Sequence, residues 1–192
     1  MLSNLFPLTL PNALTMLRIL LVPVVVVALL IETPHGDTIA AVVFALAALT
    51  DGLDGYLARS RDSISDFGKL MDPIADKLLI VAALVALVAL DRLAAWIAVV
   101  IIAREFAVTV LRGVAAERGI VMQANLLGKI KTVFQIVAVI ALIATDPAPI
   151  WADILVYLAL AFTVISGLEY FFGIQRKLAE RDEPEANTDR KA

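Results

Sequence analysis

Four carboxylates stand inside or beside long apolar stretches of this chain: Asp51, Asp54, Asp72 and Asp76. A lone Asp at the centre of a membrane helix costs roughly 2.5–3.5 kcal/mol on insertion scales, so intramembrane acids are functional by default. Asp51 and Asp54 are i, i+3, and Asp72 and Asp76 are i, i+4, so each pair lies on one helix face. The connection between the pairs puts all four at the same level. Carboxylates that close cannot all stay ionised without help. Two divalent cations balance four negative charges, and a set of oxygen ligands points to Mg²⁺ or Mn²⁺ rather than zinc. The bland alternative is aspartates that cap helices and face water. Asp72 before Pro73 fits that alternative, because Asp at the N-cap and Pro at N1 start helices.

Glycines accompany the acids. Gly52 and Gly55 flank the first pair and Gly68 lies one turn before Asp72. Each Gly in a helix costs about 1 kcal/mol relative to Ala, a cost offset by close approach of a ligand or of another helix. Ala58 and Arg59 continue the face of Gly55; Arg59 either clamps a phosphate or marks the end of a span.

The elements that must position these residues are helices in lipid. Of the 192 residues, 61% are hydrophobic and 18% charged, against about 45–50% and about 25% in soluble domains. Six apolar segments are predicted, at 13–31, 39–58, 73–90, 93–111, 126–144 and 151–172, each long enough to span a hydrocarbon core of about 30 Å. They are too long for barrel strands and lack the alternation of one, and helices satisfy their own backbone in lipid. The first is also too long for the core of a signal peptide. Arg59, Arg61, Lys69, Arg112, Arg118, Lys129, Arg176, Lys177, Arg181, Arg190 and Lys191 cluster on one side, and the other connections are acidic except for Arg92. The positive-inside rule then puts both termini in the cytoplasm. The expectation is an all-α integral membrane protein of six transmembrane helices: a short interfacial segment over 1–11, one catalytic domain over 1–173, and a charged, flexible tail over 174–192. There is no cysteine for a disulfide, thiolate or metal, a single histidine cannot build a zinc site, and a net charge of −3 argues against nucleic acid.

Together the residues read Asp51-x2-Asp54-Gly55-x2-Ala58-Arg59-x8-Gly68-x3-Asp72-x3-Asp76. This pattern of eight fixed positions resembles the signature of the CDP-alcohol phosphatidyltransferases. The resemblance extends through Pro11 to Arg18, Phe67 to Lys77, Ala103-Arg104-Glu105 and Gly128 to Thr132. Those flanking stretches are similar to the bacterial branch that uses glycerol 3-phosphate.

The resemblance implies CDP-diacylglycerol as donor, sn-glycerol 3-phosphate as acceptor, CMP as leaving group and two metal ions. It implies a homodimer in the bacterial cytoplasmic membrane with its active site facing the cytoplasm. Asp51, Asp54 and Asp72 would be metal ligands, and Asp76 the general base within the same metal cluster. Gly55, Ala58 and Gly68 would leave room for the cytidine and Arg59 would hold the pyrophosphate, with Asn12 and Thr15 as further donor contacts. The acceptor phosphate needs cations, and Arg104, Arg112, Lys129 and Lys131 are the candidates. Arg104 is the sharpest, since it lies inside an apolar stretch; its alternative is an internal ion pair with Glu105 or a motif aspartate. Lys129 and Lys131 fall on different helix faces, so both need not point inward, and Lys129 also fits a boundary charge. Arg18 is another candidate, or a residue snorkelling to the interface. Serine, inositol phosphate or phosphatidylglycerol would serve as acceptor with the same motif. A divalent-cation or proton transporter would also use acids, but near the midplane and open to both sides.

Overall fold

The computed structural model describes the backbone of residues 10–31, 33–61, 66–117, 119 and 126–188, and the side chains of 12–31, 33–50, 74, 75, 77–117, 119 and 126–177. These residues form six helices: α1 Leu10–Leu30, α2 Gly36–Arg61, α3 Asp66–Ala89, α4 Ala95–Glu117, α5 Leu126–Ala144 and α6 Ile150–Thr188. Each grows from one of the six apolar segments, and α5 has the predicted bounds. Among the described residues, three stretches are long and apolar enough to cross a membrane: Asn12–Leu30, Leu126–Ala144 and Ile150–Lys177. Within the described parts of α2 and α3 the apolar runs are Gly36–Thr50 and Lys77–Ala89. The motif aspartates belong to the last turns of α2 and the first turns of α3.

Two predicted ends move. α3 begins at Asp66, so Asp72 lies within the helix and does not cap it before Pro73. Asp66 is itself an acid at a helix N-terminus, where the dipole favours it, and Phe67, Leu70 and Met71 carry the helix up to the proline. α6 continues to Thr188 rather than ending at 172. Beyond Gly173 the sequence is rich in Glu, Arg, Lys and Ala, which leave the apolar pattern but are good helix formers. Of the expected interfacial segment 1–11, residues 1–9 lie outside the described residues, and Leu10 and Pro11 open α1.

Short connections fold successive helices back on one another. The α1–α2 turn is close: a Cβ on Gly36 would stand 2.6 Å from the Ala28 carbonyl oxygen and 3.0 Å from that of Ile31. α1 packs on α2 and α3, α5 on α6, α4 on α6, and α2 on α5. Phe44, Leu87, Leu142, Ile143 and Val25 fill the main core, and Ala40, Ala47, Ala83, Ala152 and Ala159 let the helices approach closely. A separate small cluster of Val108, Ala115, Tyr170 and Ile174 joins α4 to α6. The up-and-down course collects the start of α1, the end of α2, the start of α3, the second half of α4, the start of α5 and the second half of α6 at one end of the bundle.

At the other end α3 stops in a Schellman turn. Asp91 takes φ 57°, the Asp91 N–H donates to the Val88 carbonyl at 3.1 Å and the Arg92 N–H to that of Leu87 at 2.9 Å. The turn delivers the Arg92 guanidinium between Asp37 at 2.9 Å and Asp146 at 3.0 Å, and it also donates to the Ile143 carbonyl at 3.3 Å. The hydrogen bond to Asp37 is the main cause holding Arg92 above the usual guanidinium pKa.

Candidate active site

α2 carries Asp51, Asp54, Gly55, Ala58 and Arg59 in its last turns, and α3 carries Gly68, Asp72 and Asp76 in its first turns. Their side chains lie outside the described residues. Both stretches are helical in the backbone, which keeps the i, i+3 and i, i+4 spacing within single turns. α1 packs against both helices and buries Asn12, Thr15 and Arg18 at its start. The spacing of those three continues through Val22, Val25 and Leu29, so one stripe of α1 is polar at the motif's end and apolar beyond. Arg18 is among the most deeply buried side chains; it does not snorkel, and it lines a small cavity of about 60 Å³ beside Lys77, Glu105, Lys131 and Gln135.

The four cationic candidates come together. Arg104 and Arg112 from α4 and Lys129 and Lys131 from α5 line one cavity of about 380 Å³. Lys77, Glu105, Thr109, Thr132, Ser166 and Tyr170 complete its polar wall. Lys129 and Lys131 both face it, although they stand two apart: Lys131 is buried while Lys129 is exposed, and the four-carbon stem of Lys129 is long enough to come round the helix. Among the described residues, five cations and one carboxylate line this cavity, a lining suited to an anion.

The ion-pair reading of Arg104 and its place in the cavity both hold. Its Nη1 donates to Glu105 Oε1 at 3.2 Å, and the ammonium of Lys131 donates to the same oxygen. Its Nε donates to the Thr163 carbonyl at 3.1 Å and its Nη2 to Ser166 Oγ at 2.8 Å. Only 14% of the Arg104 and Glu105 side chains and 6% of Lys131 are exposed, so each charge has exchanged water for protein partners, as burial requires. Arg112 is held differently. Its Nε donates to the Tyr170 hydroxyl at 2.9 Å, and its guanidinium carbon lies 5.0 Å from that ring's centroid.

Sequence reasoning missed Lys77 and the whole contribution of α6. Lys77 had a usable signal, since it is a charge leading into an apolar run directly after the last motif aspartate. Ser166 and Tyr170 had none, because Ser and Tyr serve many purposes in a membrane helix.

The fold and the motif positions define a class. This chain belongs to the CDP-alcohol phosphatidyltransferase family, which it matches over residues 8–165. It is 44% identical to a protein of Bacillus subtilis (strain 168) named CDP-diacylglycerol–glycerol-3-phosphate 3-phosphatidyltransferase, over 84% of this chain and 93% of that protein. A protein of Mycobacterium tuberculosis (strain ATCC 25618 / H37Rv) named probable phosphatidylglycerophosphate synthase is 40% identical, over 84% of this chain and 79% of its own length. A Rickettsia felis protein with the same name as the Bacillus one is 36% identical, over 84% of this chain and 93% of that protein.

Proposed function

We propose that this chain transfers the phosphatidyl group of CDP-diacylglycerol to sn-glycerol 3-phosphate, giving phosphatidylglycerophosphate and CMP. The observation that carries the acceptor is the cavity of about 380 Å³ lined by Lys77, Arg104, Arg112, Lys129 and Lys131. It suits a small molecule that brings a phosphate, which serine and neutral headgroups lack. The names and identities of the relatives support the same donor and acceptor.

Asp51, Asp54, Asp72 and Asp76 would hold two Mg²⁺ or Mn²⁺ ions. When bound, such ions polarise phosphoryl oxygens and offset the charge of transfer. Asn12, Thr15 and Arg59 orient the donor's cytidine diphosphate, and Gly55, Ala58 and Gly68 leave room for it. Arg112, Lys129 and Lys131, with Arg104, hold the acceptor phosphate. The acceptor hydroxyl attacks the phosphorus that bears diacylglycerol, the bond to CMP breaks, and Asp76 takes the hydroxyl proton. Phosphoryl transfer of this kind is mostly positioning and charge stabilisation. All six helices cross the bilayer of the bacterial cytoplasmic membrane, with both termini and the site on the cytoplasmic side, as the basic residues at that end favour. Two copies form the homodimer.

Purified protein in lipid nanodiscs, given CDP-diacylglycerol and each acceptor in turn, tests the reading through CMP release. Glycerol 3-phosphate is expected to be used and serine and inositol phosphate are not; the reverse preference overturns the acceptor. Exhaustive chelation is expected to stop release, and undiminished release rejects the metal ions. Asp76→Asn is expected to retain donor binding with Mn²⁺ while losing transfer by roughly 10²–10⁴-fold, the range for a general base. Loss of donor binding as complete as in Asp54→Asn makes Asp76 a ligand only.

A further inference from the structure

Arg104 has a second anchor that the motif does not contain. Arginine carries five N–H donors in a planar fork, and three of them are committed: Nε to the Thr163 carbonyl, Nη2 to Ser166 Oγ and Nη1 to Glu105. Thr163 and Ser166 are i, i+3, so one turn of α6 meets one edge of the guanidinium. Ser166 is fixed in turn, since its hydroxyl donates to the Thr163 carbonyl at 3.2 Å. Gly167 makes room for the side chain. A Cβ there would lie 3.2 Å from Arg104 Cγ and 3.5 Å from Nε, a contact that Arg104 can relieve only by shifting away from its two α6 acceptors. One N–H on each of Nη1 and Nη2 remains, a pair suited to two oxygens of one phosphate.

We propose that Ser166 and Gly167 are positioning residues that set the direction of the Arg104 fork and thereby the affinity for the acceptor's phosphate. The proposal rests on the phosphatidyl-transfer reading above. Ser166 supplies an acceptor that fixes one edge, and Gly167 supplies the absence of a side chain. Both act through Arg104. A misplacement near 1 Å in a positioned group can cost about 10²-fold in rate, so small changes on α6 are expected to register in acceptor use.

The test uses the full chain in nanodiscs, with wild type, Ser166→Ala, Ser166→Thr, Gly167→Ala and Gly167→Val. KM for glycerol 3-phosphate, KM for CDP-diacylglycerol, kcat and the thermal midpoint are measured on the same preparations. Ser166→Ala is expected to raise acceptor KM by about 3–10-fold, consistent with weakening a hydrogen bond to a charged group. Ser166→Thr, which keeps the hydroxyl, recovers most of that loss. At position 167 the rise grows with side-chain size, from about 3-fold for Ala to about 30-fold for Val. Donor KM stays within about twofold throughout, and kcat falls less than acceptor KM rises. The proposal is overturned if both KM values rise together, if Ser166→Thr behaves like Ser166→Ala, or if acceptor KM ignores both positions. Should Gly167→Val fail to fold, the Ser166 pair decides. A wild type that prefers a phosphate-free acceptor overturns the functional reading itself, whereas a wild type that uses glycerol 3-phosphate without the KM split overturns only the role of α6.

Discussion

Both ends of the bundle carry arginine, but they treat it differently. At one end Arg92 meets two carboxylates, Asp37 and Asp146, and the second is 55% exposed. The cluster has at least as much negative charge as positive and lies beside water. At the other end Arg104 and Lys131 share one carboxylate oxygen of Glu105, nearly out of water, and Lys77, Arg112 and Lys129 line the same cavity. The first arrangement is complete as it stands and ties helices together. The second gathers five cationic side chains around one cavity, and a low-dielectric wall makes their charge count for more than it would in water. One cluster ties helices together, and the other surrounds a space that an anion can enter.

Removing Glu105 strikes the cationic end hardest. Glu105→Ala takes away the carboxylate that Arg104 and Lys131 share, and breaking a buried pair in this way costs about 3–5 kcal/mol. A large fall in the thermal midpoint is expected; a fall no larger than that of Arg92→Ala would erase the contrast between the ends.

Arg112→Ala comes next. It is expected to raise KM for glycerol 3-phosphate by roughly 10–100-fold, the worth of a charge-assisted hydrogen bond, with little change for CDP-diacylglycerol. Arg112→Lys recovers little, because lysine cannot both stack on Tyr170 and keep a fork free. Steady-state kinetics with each substrate varied separately decide this, and equal effects on both would move Arg112 out of the acceptor pocket.

Arg92→Ala is the smallest and serves as the control. Exposed ion pairs contribute about 0.2–1 kcal/mol each, so the midpoint drops slightly and acceptor KM stays at the wild-type value. The Arg92 contribution is fully present below the ordinary guanidinium pKa and is lost only as pH rises through its higher folded value. Titration of this arginine therefore gives no pH dependence near neutrality. A change in acceptor KM on its removal would mean that the two ends are coupled.

Much of this layout was legible in the sequence. The apolar segments foretold all six helices, and α5 to the residue, because a run of about 19 apolar residues has few alternatives in lipid. The start of α3 was misread because Asp-Pro is a start signal only where nothing upstream extends the helix, and Asp66 begins one. The end of α6 was misread because leaving the apolar pattern does not end a helix when Glu, Arg and Lys follow. Arg104 announced itself as a charge in an apolar stretch. Its partners Thr163, Ser166 and Gly167 did not, since their meaning comes from the packing of α6 on α4, which no local pattern encodes.

The Arg92 cluster also has a mechanical side. One guanidinium joins the α3–α4 connection, the first turn of α2 and the connection between α5 and α6, so these helices are pinned together at one end. A tilt of the helices about that end would be felt most at the other. From Ala95 to Arg112 the axis of α4 runs for roughly 25 Å at 1.5 Å per residue. Over that arm a tilt of about 5° moves the far end by roughly 2 Å, which is more than the reach of a hydrogen bond tolerates. Geometry alone thus makes contacts near Arg92 tolerant of a small tilt and contacts near Arg112 sensitive to it.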